Sequence, residues 1–168
     1  NLKSLDIMAN RSVTPSGWQL FFNSLQTRGA QLEKLNIIYN KIDNESTTAL
    51  GTLLNSMNTL KTLQMGQLCT NVTAQGWVSF FSSLQDSDLD LVNLSFRKQH
   101  WWWSDSSFGV ISLKYEFPEE PKLGRQPKSI SPARWQALSN YIQSPTCVLE
   151  LLDLDGNKVN DDMLVAFT

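Results

Sequence analysis

The chain has 168 residues, of which 41% are apolar and 18% charged, with a formal net charge of −2. That is enough for one domain with a substantial core. The balance disfavours disorder and nucleic-acid binding driven by bulk charge, and no apolar run approaches the roughly 18 residues of a membrane span.

Taken in order, the chain repeats one pattern. The first unit has Leu2, Leu5, Ile7 and Asn10, then Val13 and the helical run TPSGWQLFFNSLQ. The second is the clearest: Leu32, Leu35, Ile37, Asn40 and Ile42, then a helix-like stretch to Leu60. The third has Leu60, Leu63 and Met65, then Val72 and TAQGWVSFFSSLQ. The fourth opens with Leu91, Leu94 and Phe96, and the last with Leu149, Leu152, Leu154, Asn157 and Val159. Alternation within Leu-x-Leu predicts a short strand, Leu inward and polar residues outward. The Asn eight residues after the first Leu is expected to bond backbone groups of neighbouring turns, which a buried bend otherwise leaves unpaired. Asn10, Asn40 and Asn157 fit that role. Leu68 stands there in the third unit and cannot perform it, so that turn is expected to be irregular.

The helices carry a second signature. Thr14, Thr73 and Ser131 are good N-caps, and Pro15 and Pro132 follow at N1, where a missing N–H costs nothing. Val13, Val72 and Ile130 precede the caps, and Trp18, Trp77 and Trp135 stand four residues after them, the two positions of a hydrophobic staple. Each Trp is followed at three and seven residues by Phe21 and Leu25, Phe80 and Leu84, or Leu138 and Ile142. The functional alternative for these aromatics is a ligand box, but an apolar stripe at helical period is ordinarily core.

The pattern resembles the leucine-rich repeat in its ribonuclease-inhibitor-like form of roughly 28 residues per unit. The resemblance implies an α/β horseshoe solenoid of about five repeats, with a curved parallel sheet on the concave face and helices on the convex one. The whole of 1–168 reads as one such domain. It begins inside a strand pattern and ends inside a helix pattern from Asp162 to Thr168, as a fragment of a longer array would.

The spacings locate an anomaly. From the residue before the cap to the next unit's first Leu the counts are 19, 18, 19 and 19. From the first Leu to the residue before the cap they are 11, 10, 12, 39 and 10, so all the extra length lies between Phe96 and Ile130. Residues 97–129 admit three readings. One is an irregular β-hairpin insertion, favoured by Pro118, Pro121 and Pro127. Another is a degenerate repeat adding a sixth strand around Leu113 to Phe117. The third is a repeat translated out of frame, since Trp101, Trp102 and Trp103 fix nine bases that encode glycines when read one base later. Sequencing the transcript decides the last.

No catalytic constellation emerges. His100 is the only histidine and sits in the anomalous segment. Cys69 and Cys147 lack metal-ligand spacing. Asp153-Leu-Asp155-Gly156-Asn157 places its glycine too early for a calcium loop. No cofactor or metal is expected, and no enzyme activity. Two cysteines make no disulfide framework and favour a reducing compartment, hence a cytoplasmic reading. Four sequons occur, at Asn10, Asn44, Asn71 and Asn93, in a chain rich in Asn, Ser and Thr where such triplets arise by chance. Asn10 is moreover expected inside.

What remains is surface. The resemblance implies docking of a protein ligand on the concave face, and the candidate residues are Asp6, Met8, Lys34, Asn36, Ile38, Tyr39, Gln64, Asn93, Ser95, Arg97, Asp153 and Asp155. Only Arg97 and Tyr39 are residue types that dominate interface energetics. The expected function is a non-enzymatic protein–protein interaction scaffold, monomeric as a domain, binding neither nucleic acid nor membrane. The alternatives are a regulatory subunit of an enzyme, of the GTPase-activating or ubiquitin-ligase substrate-receptor type, and an extracellular recognition module carrying glycans on Asn44 or Asn71.

Overall fold

A computed structural model describes residues 2–66, 72–96, 132–154 and 161–165. Strand and helix alternate: β1 (Ser4–Asp6), α1 (Pro15–Thr27), β2 (Lys34–Asn36), α2 (Asn44–Ser56), β3 (Thr62–Gln64), α3 (Ala74–Gln85), β4 (Asn93–Ser95), α4 (Pro132–Ile142), β5 (Leu151–Asp153) and α5 (Asp161–Val165). The five strands form one parallel sheet in chain order. Leu5, Leu35, Leu63, Leu94 and Leu152 stand opposite one another across it. A parallel neighbour is reached only by a crossover. The helices between strands make those crossovers, each packed on the next in sequence.

The alternation expected of Leu-x-Leu is present. Leu35, Leu63 and Leu94 are buried, as are Leu32, Ile37, Leu60, Met65 and Leu91, and together they form one core with the helix faces. Fully burying one such side chain contributes about 1.5–3 kcal/mol. On α3 the predicted stripe of Trp77, Phe80 and Leu84 is entirely buried, and Phe81, outside that stripe, is buried with it. Trp77 meets Phe80 edge-on at 5.9 Å, and Phe96, from the turn after β4, meets Trp77 edge-on at 5.4 Å. On α1 only Trp18 and Phe22 are buried, while Phe21 and Leu25 are half-covered, because α1 and β1 form the edge of the described fold.

The caps form as the sequence predicts at Thr14 and Thr73, whose hydroxyls accept from the Gly17 and Gly76 N–H groups at 3.2 Å. Ser131 lies outside the described residues, and α4 begins at Pro132. Helix α2 uses a device the sequence reading passed over, a capping box. Asp43 accepts from the Ser46 N–H at 3.0 Å, and the Ser46 hydroxyl accepts from the Asp43 N–H at 2.9 Å. Thr47 takes the place that Trp holds in α1 and α3, so this helix has no staple. At the C-terminus of α1, Gly29 adopts φ 61°. The Gly29 and Ala30 N–H groups bond the Gln26 and Leu25 carbonyls, a left-handed closure that glycine enters without steric cost.

The turns after the strands depend on Asn40. It is fully buried; its amide donates to the Ile7 and Ile37 carbonyls, each at 2.9 Å, and its carbonyl accepts from the Asn10 N–H at 2.8 Å. One side chain thereby satisfies backbone groups of two units, as expected. Asn10 departs from the expectation of an inward position. It is exposed, and its amide serves only its own unit, donating to the Ile7 carbonyl at 2.8 Å and the Met8 carbonyl at 3.2 Å. Edge position explains the difference, since among the described residues no strand lies on the far side of β1. Leu68 and Asn157 fall outside the described residues. So do Trp101 to Trp103, His100 and all of 97–129. β4 pairs directly with β5, Asn93 opposite Leu151.

Two expected outcomes follow from this packing. Asn40→Ala leaves the Ile37 carbonyl without its partner, while the Ile7 carbonyl keeps the Asn10 amide and the exposed Asn10 N–H can turn to water, and a buried orphan costs about 1–3 kcal/mol. Urea unfolding is expected to show a loss of about 1–3 kcal/mol, against under about 1 kcal/mol for Asn10→Ala at the exposed edge. Trp77→Ala removes the centre of the α3 cluster and is expected to cost about 3–5 kcal/mol. A loss under about 1 kcal/mol would mean that the ring contributes as a surface residue does.

Candidate functional site

The side of the sheet opposite the Leu row carries two aligned rows. One contains Asp6, Asn36, Gln64, Ser95 and Asp153, and the other Ser4, Lys34, Thr62, Asn93 and Leu151. Nine of the twelve residues singled out from sequence lie on these rows or in the turns just beyond them. Arg97 and Asp155 are outside the described residues.

Tyr39 is the residue the structure removes from this surface. It is fully buried, with φ 63°. Strand alternation places residue 39 on the inner face, and sequence proximity alone suggested it as an outward anchor. The left-handed backbone turns the chain out of the strand here, as it does at Ala9 with φ 62°. A non-glycine residue pays roughly 1–2 kcal/mol for that conformation. The ring is recovered as packing surface, with the Arg11 guanidinium 5.8 Å from its centroid.

Several of the remaining residues hold the fold as well as facing solvent. The Asp6 carboxylate accepts from the Met8 N–H at 3.2 Å, and the Asn36 carbonyl accepts from the Ile38 N–H at 3.2 Å. These are matching turns two residues long, built from the side chains that favour them. The Asn36 amide also donates to Asp6 at 3.1 Å, across the strand pair. At the other end the Ser95 hydroxyl donates to Asp153 at 3.2 Å, and Ser95 is buried. Asn93 reaches the Thr62 hydroxyl at 3.4 Å. Sequence reasoning could name the outward positions but not this cross-strand bonding, which depends on register.

The side chains left to offer to a ligand are Lys34, Gln64, Met8 and Ile38, the last two forming a small apolar corner beside polar rows. Along the border of the face, Lys3 pairs with Glu33 at 3.1 Å and Lys61 with Asp90 at 3.2 Å. Both pairs are solvent-exposed, and such pairs add little stability. The face is thus rich in amides and hydroxyls, suited to recognising a polar surface by hydrogen bonding. Comparison with protein-family models and with curated proteins gives no match.

Among the described residues no group of three His, Cys, Asp or Glu side chains is placed to hold a metal ion, and no helix is long and apolar enough to cross a membrane. Burial raises the Tyr141 phenol above its ordinary range, with nearby Cys147 adding to the effect, so the hydroxyl stays neutral. A shallow groove of about 230 Å³ lies between α3 and α4, floored by Val78, Phe81 and Ala137. The sequence reading missed it; the signal available was Ala133 and Ala137, small residues one helical turn apart. Asn44, one of the sequon residues, is also engaged. Its side-chain carbonyl accepts from the Thr73 N–H at 2.8 Å, tying the start of α2 to the start of α3, and Ser46 of the same sequon is buried.

The two classes of outward residue are separable by stability. Lys34→Ala and Gln64→Ala are expected to change unfolding free energy by less than about 0.5 kcal/mol, as surface positions do. Asn36→Ala removes the bonds to Asp6 and Ile38 and is expected to cost about 1–2 kcal/mol. Equal losses at all three positions in denaturant titrations would contradict this division.

Proposed function

We propose that the chain is a leucine-rich-repeat solenoid of the ribonuclease-inhibitor-like kind, a horseshoe with its parallel sheet on the concave side. In this reading it is a non-enzymatic scaffold that docks a protein ligand on the outward sheet face. The observation that carries the reading is the repetition of one geometry. An inward Leu row in matched register continues through five parallel strands, and a buried Asn closes the turn between the first two units. Such stacking leaves one broad side of the sheet to solvent, with its polar side chains held in rows by bonds to each other. A pre-ordered surface loses less side-chain entropy on binding than a mobile one. The cytoplasmic assignment rests on the low cysteine content, with Cys147 a free thiol, and the engaged Asn44 amide weighs against a glycan there.

Affinity capture with the full chain as bait, followed by chemical cross-linking, tests the proposal. Cross-links from the ligand are expected at Lys34. The double substitution Lys34→Glu, Gln64→Arg is expected to weaken capture at least about tenfold, a loss of roughly 1.4 kcal/mol, with an unchanged melting temperature. Undiminished capture by that variant, or cross-links confined to the helix side, would overturn it.

A further inference from the structure

We draw no further inference here: the strongest candidate, the shallow groove between α3 and α4 floored by Val78, Phe81 and Ala137, is an unpartnered apolar surface, and nothing in the structure shows what covers it.

Discussion

The side chain of Asn40 is the smallest part on which this architecture depends. A parallel sheet assembled in chain order must turn the chain sharply after every strand, and the turn carries backbone groups into a space that water does not reach. In the interior those groups cost more than a side chain's hydrophobic gain returns unless each is bonded. Asn40 answers the requirement with one donor amide and one acceptor carbonyl shared between two units. Its reach, short enough to stay inside and long enough to cross to Ile7, makes it both a turn closure and a spacer. The Leu rows could collapse in many ways, but bringing Ile7, Asn10 and Ile37 together around this amide gives each of those backbone groups its partner.

The outward side of the sheet inherits its character from the same turns. Asp6 and Asn36 bond the backbone two residues on, so the face is a set of polar side chains already committed in part to the fold. Surfaces of that kind discriminate among partners through geometry and desolvation more than through raw apolar contact. The absence of Tyr39 from that surface sharpens the point. The aromatic that a sequence reader would nominate as an anchor is interior packing beneath the turn.

What was legible in the sequence was everything governed by spacing along one element. Leu at the second position of a three-residue strand, Thr before a Trp helix and Asn at the turn each announce themselves locally, and the Leu row, the Thr14 and Thr73 caps and Asn40 are found in their places. What was not legible depended on features that spacing does not encode. Tyr39 was a different kind of miss: alternation along the strand already assigns residue 39 to the inner face with Leu35 and Ile37, and proximity to the outward residues was allowed to outweigh it. The Asp43 and Ser46 capping box passed unnoticed because α2 lacks the Trp that marks its neighbours. The bonds joining Asp6 to Asn36 and Ser95 to Asp153 need the register between strands, which no single unit contains. Asn10 failed for a related reason, since an inward position exists only where another strand covers it.

The separations between paired strand residues carry a consequence of their own. Ser4 pairs with Lys34, Lys34 with Thr62, Thr62 with Asn93 and Asn93 with Leu151, steps of 30, 28, 31 and 58 residues, yet the register never slips. The sheet therefore measures its units by side-chain fit, not by contour length. Closing a longer connection costs only about 0.6 kcal/mol for each doubling, so chain length is nearly a free variable between β4 and α4. For an engineer that connection is the natural port of this fold, the place to splice in a foreign domain or sensor while β4 and β5 continue to find each other. For evolution it is where novelty enters at least expense.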